Sequence, residues 1–558
     1  MTKRMIAVLT AFALLYGSVS FKMYKIAIGE TELADSTRKK YTITAGEIRG
    51  DIFDCNGIKL VSYDYENIVA AKPTYKALSA LGKVLDTKQY ELLRERMKNL
   101  NAVSLNVGKQ ELDENSDFAV LRKYFRYEEN QIADHIIGYL NGDGRGVSGI
   151  EKSFDSVLYT GKNLSASFNS DVYGRVLSGM EITVNNGKLT TGAVTLTVDT
   201  EIQKAVETAL DENNVKCGGA VVVEIATGAI RAIASRPDFD ARNVSDYLDV
   251  EDSPLLNRAL NPYSVGSVFK VVVAASAIEQ GLGSFEYECK GSVDVDGTTF
   301  ICNKNTVHGK LDITKALECS CNTFFIELAK KVGAKAILET ASLMGFGQEN
   351  ILADGIVSKT GVIPSLDELE SSGAFANFSF GQGRFTATML QLCNMMSAVA
   401  DEGRFRKPYL VERVTGADGT VIQSHSGDYP VYALSSKTCN KLKPMLVSVI
   451  ENGNAQKAKL RNGVLAAGKT ATAQTGVFRE NGTEICNTWF AGFFPADNPK
   501  YTVVVLKEGG VSGATDCAPI FKCIADEIAG YEKILKKLKK CLICYIPCVI
   551  IYRQSLHT

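Results

Sequence analysis

At 558 residues, the chain has room for about three or four domains of typical size, which excludes a single small module. Hydrophobic residues make up 45% and charged residues 22%, as in globular proteins, excluding a disordered, collagen-like or polytopic membrane chain. The 62 Lys+Arg against 63 Asp+Glu leave no bulk attraction for nucleic acid, and no such partner is expected.

Lys3 and Arg4 precede an uncharged run, Met5 to Phe21, closed by Lys22 and Lys25. Its 17 residues reach the lower limit for a helix spanning about 30 Å of hydrocarbon. A retained signal anchor and a signal peptide cut near Ser18-Val19-Ser20 both export the rest of the chain. The run is long for a signal-peptide core, so the expectation is a cytoplasmic stub and anchor over 1–25, single-pass in the cell membrane, with the catalytic part extracytoplasmic.

From Thr42 to Thr191, short alternating runs surround a charged helical stretch, Thr87 to Asn99, with no catalytic cluster. A second organisation begins with a strand at Ala193 to Val198 and a helix opened by Asp199, Glu201 to Glu212. A β-hairpin follows, Gly219 to Ile225 and Ala229 to Ser235, turned by Thr227-Gly228. Helical periodicity then covers Ser267 to Glu279, Ile313 to Val332, Phe385 to Ala400 and Ser435 to Glu451. Three late strands, Val464 to Gln474, Thr488 to Phe494 and Tyr501 to Leu506, precede a closing helix from about Ala518 to Ile528. The fold class is therefore α/β, without internal repeats.

The four histidines and 14 cysteines form no C-x-x-C plus H-x-x-x-H or H-E-x-x-H pattern, and no metal site is expected. Cys541 and Cys544 form a lone C-x-x-C in an apolar tail. Cys289 and Cys302 bracket a hairpin, Gly291 to Ile301, as either a disulfide or two free thiols. After Gly530, five lysines between Lys533 and Lys540 precede Cys541 to Tyr552, which is too short to span a bilayer; a loose tail is expected, with a membrane-surface segment as the alternative.

Three stretches have the residues for acyl chemistry. In Gly266-Ser267-Val268-Phe269-Lys270 a hydroxyl opens an apolar helix and an amine follows three residues later, on the same face. Serine needs a base to become nucleophilic, and a lysine is one when burial disfavours its charge. Ser320-Cys321-Asn322 offers a hydroxyl and an amide, suited to relaying a proton and holding a peptide, although the same residues also suit a helix N-cap. In Gly468-Lys469-Thr470-Ala471-Thr472-Ala473-Gln474 a strand carries a lysine and alternating hydroxyls, fit to bind a carboxylate while pairing with an extended peptide.

Each motif alone is common, but their order and setting make the chain resemble the class B penicillin-binding proteins, monofunctional peptidoglycan transpeptidases. Tyr263 to Lys270 is similar to their Y-x-P-G-S-x-F-K, Ser320 to Thr323 to S-x-N-T, and Gly468 to Gln474 to G-K-T-G-T-A-Q. Arg49 to Gly57 resembles R-G-x-I-x-D-R-N-G, Val147 to Glu151 resembles V-x-G-[IL]-E, and Gly381-Gln382-Gly383 and Trp489 to Gly492 match further segments. Two departures stand out: Val265 where the family has proline, expected to loosen the turn, and Ala471 for the glycine of K-T-G, expected to narrow the groove and slow β-lactam acylation.

The resemblance implies a pedestal over 26–190, a transpeptidase domain over 191–530 with a mostly antiparallel five-stranded sheet flanked by helices, and a tail over 531–558. It further implies that Lys270 activates Ser267, which attacks the penultimate D-alanine of a D-Ala-D-Ala stem peptide and forms an ester. Ser320 and Lys469 would move protons, Asn322 hold the peptide, and Thr470 and Thr472 bind its carboxylate. An amine of a second stem peptide would resolve the ester, without metal or organic cofactor. Implied partners are β-lactams and a polytopic membrane glycosyltransferase of the shape, elongation, division and sporulation type. The alternatives are a D,D-carboxypeptidase or β-lactamase, in which water takes the ester, and a weakly catalytic scaffold or β-lactam sensor.

Overall fold

The computed structural model describes residues 2–37, 39–113, 115–177, 179–186 and 191–554, with the side chains of 2–4, 26–37, 304, 462 and 539–554 outside the description. The chain forms two compact units, one of Met1–Arg49, Ser62–Arg126 and Thr160–Thr191, the other of Gly50–Val61, Tyr127–Tyr159 and Gly192–Thr558.

The smaller unit begins with α1 (Thr2–Thr37). Its segment Met5–Lys25 is long and apolar enough to cross a membrane, and its side chains are exposed, as a membrane anchor requires. A three-stranded antiparallel sheet follows, with Tyr65–Ala71 between Val103–Asn106 and Phe118–Tyr124. The charged stretch predicted as a helix runs Thr87–Met97 and starts at a capping box, Asp86 with Gln89. Only Leu93 and Met97 of this polar helix are buried, against Val69, Val103 and Leu105.

The larger unit is built on an antiparallel five-stranded sheet. Its strands are β1 (Gly218–Glu224), β2 (Ile230–Arg236), β3 (Ala467–Phe478), β4 (Glu484–Phe494) and β5 (Tyr501–Glu508), in the order β2-β1-β5-β4-β3. Val503 to Leu506 are all fully buried, so the sheet is covered on both faces. Two helices define those faces, α2 (Met389–Ala400) and α3 (Cys517–Gln554). Phe521 of α3 stacks on Phe490, whose cross-strand partner is Val505, whereas Ser397 of α2 bonds to Thr502, which alternates to the other face. The edge strand β3 carries the lysine-threonine motif and lies beside the helix Ser436–Glu451.

Two family-like motifs from the early chain sit in this larger unit. The strand Asp51–Phe53 runs parallel to Ala193–Leu196. Asp54 is fully buried and accepts hydrogen bonds from the Asn56, Ile58 and Thr200 amides and the Thr200 hydroxyl. It thereby meets the first turn of the helix Thr200–Glu212, which Asp199 caps.

Two expectations need correction, and the choice left open for Cys289 and Cys302 falls to free thiols. The pattern read as one helix over Ile313 to Val332 is two, Ile313–Cys319 and Asn322–Val332, because Ser320 takes φ 56° and ends the first. The closing helix does not stop near Ile528, and the tail is not irregular: α3 continues to Gln554, because the stretch just after Gly530 is rich in the helix formers Glu, Lys and Leu, and the backbone stays helical past Pro547. The tail's Cys541 and Cys544 have side chains outside the described residues. Cys289 and Cys302 are not a disulfide, their sulfurs standing 3.7 Å apart.

Candidate active site

The expected helix from Ser267 opens as a tighter 3-10 turn, Gly266–Phe269, and becomes α-helical at Lys270–Glu279. Three residues per turn place Ser267 and Lys270 over one another more directly than an α-helix would. Gly266 has φ 62° and its amide donates to the Gly381 carbonyl at 2.9 Å. A methyl on Gly381 would lie 2.1 Å from the Gly266 carbonyl oxygen, which explains the glycine in the Gly381-Gln382-Gly383 motif. Behind the turn, Phe269 is fully buried among Phe346, Phe378 and Phe385, with ring centroids 4.5 to 5.9 Å away. The Trp489 indole donates to the Ser264 carbonyl at 2.8 Å and ties the preceding residues to β4. Val265 is wholly buried in place of the family's proline.

Lys270 is fully buried, and its amine donates to the Ser320 carbonyl and the Asn322 side-chain carbonyl, each at 2.7 Å, and meets the Ser320 hydroxyl at 3.2 Å. Lys469 is also fully buried and contacts the same hydroxyl at 3.0 Å and the Thr470 carbonyl at 3.0 Å. Burial pushes Lys270 down to about 8, and burial, then the Lys270 charge, holds Lys469 well below its ordinary value. One serine hydroxyl thus bridges two amines whose charged forms burial disfavours. A neutral Lys270 satisfies its two carbonyl acceptors with two N–H groups, leaving a lone pair to accept a proton. The Ser267 hydroxyl is half-buried, and among the described residues it has no hydrogen-bond partner.

Lys270, Asn322 and Lys469 lie on helix, helix and strand, Ser267 on the 3-10 turn before its helix and Ser320 at the break between two helices, and Lys270, Ser320, Asn322 and Lys469 form one hydrogen-bonded network. Asn322 is tied at both ends, its amide nitrogen donating to Ile301 O at 3.2 Å. Thr472 is exposed on β3 and accepts from the Gly513 amide at 3.3 Å. Thr470 departs from expectation: it is 4% exposed and donates its hydroxyl to Asn454, so it braces the strand rather than presenting a free hydroxyl. Along β3, Lys469, Ala471 and Ala473 share a face, which Gly266 approaches through Ala473. The Ala471 methyl is buried and takes up space on that face. Asn454, Gly381 and Trp489 are site-supporting residues; the sequence marked the last two only by their motifs and gave no signal for Asn454.

A model of the penicillin binding protein transpeptidase domain matches residues 218–526. Stage V sporulation protein D of Bacillus subtilis is 27% identical over 557 residues, covering 91% of this chain and 83% of that protein. Peptidoglycan D,D-transpeptidase FtsI of Escherichia coli is 27% identical over 425 residues, covering 72% and 66%. Among solved structures, penicillin binding protein 3 of Mycobacterium tuberculosis in complex with aztreonam aligns with a TM-score of 0.64 at 24% identity, over 88% of this chain and 98% of that one. The D,D-transpeptidase domain of a peptidoglycan glycosyltransferase from Eggerthella lenta aligns equally well, over 88% and 100%.

Proposed function

Because this chain belongs to the penicillin-binding protein transpeptidase family, we propose that it cross-links peptidoglycan as a serine D,D-transpeptidase and is acylated by β-lactams. The observation that carries this reading is the Ser320 hydroxyl held between two buried amines, at 3.2 Å from Lys270 and 3.0 Å from Lys469, behind the Ser267 turn.

Lys270, in its neutral form, removes the Ser267 proton as the serine oxygen attacks the carbonyl of the penultimate D-alanine. The tetrahedral oxyanion is met by the backbone N–H groups of Ser267 and Thr472, an arrangement commonly worth about 3 kcal/mol of barrier. Collapse expels D-alanine, whose amine takes a proton through Ser320, with Lys469 hydrogen-bonded to that relay. Thr472 binds the substrate carboxylate while Asn322 orients both Lys270 and the peptide. The open edge of β3 pairs with the extended stem peptide. An acceptor amine then reverses the proton path and releases the cross-linked product.

The helix Met5–Lys25 anchors the chain, with the catalytic unit outside the cytoplasm and the smaller unit as pedestal. The protein's partner in glycan polymerisation is a polytopic membrane glycosyltransferase of the shape, elongation, division and sporulation type. Intact-protein mass spectrometry after penicillin treatment tests the reading: the parent gains one drug mass and Ser267→Ala gains none. An unlabelled parent, or a labelled variant, overturns it.

A further inference from the structure

Outside the serine-lysine network, the sequence between Cys289 and Cys321 converges on one point. The thiols of Cys289, Cys302 and Cys321 are buried, and with the half-buried His308 their donor atoms all lie within 4.8 Å of one another. The Cys289 and Cys302 sulfurs are 3.7 Å apart, those of Cys302 and Cys321 3.6 Å, and His308 Nδ1 is 3.3 Å from the Cys289 sulfur. A tetrahedral Zn2+ with bonds of about 2.3 Å to sulfur and about 2.0 Å to nitrogen sets its sulfurs about 3.8 Å apart and its nitrogen about 3.6 Å from each sulfur. The observed edges are close to that tetrahedron and far from a disulfide. Donors from the surroundings also suit bound thiolates. The Gly291 and Phe324 amides point at the Cys289 and Cys321 sulfurs, each at 3.4 Å, and the Thr323 hydroxyl donates to Cys289 at 3.2 Å. Elsewhere among the described residues the buried thiols are single, as with Cys439 and Cys517, which donate to the carbonyls of Ala398 and Thr488.

We propose that Cys289, Cys302, His308 and Cys321 bind one Zn2+ as a structural Cys3His centre that holds the Ser320-Cys321-Asn322 segment in place. Four protein ligands leave no open position, which is the pattern of a structural rather than a catalytic zinc. Two short ribbons supply three of the ligands. Cys289 ends Tyr287–Cys289, which pairs with Gly309–Leu311 next to His308, and Cys302 follows Thr298–Ile301. Cys321 is the N-cap of the helix Asn322–Val332 and lies between the two active-site residues. The metal therefore fixes the backbone just after Ser320, whose φ of 56° is unusual for a residue with a side chain. The proposal stands apart from the acyl-transfer reading, since these four residues touch no reacting atom.

The full chain, prepared without chelator and desalted after incubation with Zn2+, should carry one equivalent by inductively coupled plasma mass spectrometry. Replacement by Co2+ should give the visible bands of tetrahedral thiolate cobalt. Cys302→Ser and His308→Ala should lower metal content by roughly tenfold or more, whereas Cys486→Ser should keep it. His308→Cys supplies a fourth sulfur and should retain one equivalent with altered cobalt bands, so the test survives if the other variants fail to fold. Chelation should slow penicillin labelling of the parent, and Zn2+ should restore it. Ser267→Ala should bind metal fully, which separates failure of this proposal from failure of the enzymatic one. Parent protein with less than about a tenth of an equivalent and no tetrahedral cobalt bands overturns the proposal, as does full metal content in both Cys302→Ser and His308→Ala.

Discussion

Two lysine amines share the Ser320 hydroxyl, an arrangement that is tolerable only if they are not both charged. With Lys270 at about 8, roughly a tenth of it is neutral at pH 7. The second-order rate of penicillin acylation should therefore rise about tenfold per pH unit below 8 and level off above it. A rate flat from pH 6 to 9 in stopped-flow labelling removes Lys270 as the base. The same shift gives stability a sign. Unfolded lysine keeps its proton up to about 10.5 while the folded form releases it near 8, so stability should rise with pH between these values and not below them. Ala471→Gly removes a methyl from the Lys469 face of β3 and should speed acylation severalfold; an unchanged rate means the methyl is not in the way. At this scale the spacing put Ser267 and Lys270 one turn apart and Lys469, Ala471 and Ala473 on one strand face, while the chemical role of each came from the motif resemblance. It did not disclose that Thr470 is spent on Asn454, 16 residues away in an irregular stretch, because pairings of that kind have no period.

The Ser267 turn is positioned by elements behind it. Gly381→Ala sets a methyl against the Gly266 carbonyl and forces a φ of 77° on alanine, so the turn must move. A shift of about 1 Å is expected to cost about a hundredfold in acylation while the protein stays folded, read as rate against circular dichroism. Phe269→Ala empties the space between Phe378 and Phe385 and should lower stability by about 3–5 kcal/mol in urea titration. The sheet, the helix capped by Asp199 and the serine helix were legible from periodicity and caps. The break at Ser320 was not, because Leu317, Phe324 and Leu328 keep an unbroken helical stripe across it. The polar Ser320-Cys321-Asn322 hinted at an N-cap, and Cys321 is one. The thiol cluster was hidden for a related reason: its ligands are spaced by 12, 5 and 12 residues and meet only once the two ribbons have paired.

For the molecule as a whole, the apolar helix Met5–Lys25 shares no buried surface with the rest and should be dispensable for chemistry. Removing residues 1–25 should move the protein from the membrane to the soluble fraction with penicillin labelling of Ser267 retained; loss of labelling in a folded, soluble product contradicts the anchor role. The chain passes five times between its two units, at residues 50, 62, 127, 160 and 192. A ribosome therefore delivers all of the smaller unit by residue 191, while Ile52 and Asp54 have emerged long before the strand Ala193–Leu196 and Thr200 that receive them. Maturation is staggered by covalent connectivity, and a fragment begun at Gly192 would be born without the strand that pairs with its own first strand and the carboxylate that meets the first turn of its first helix.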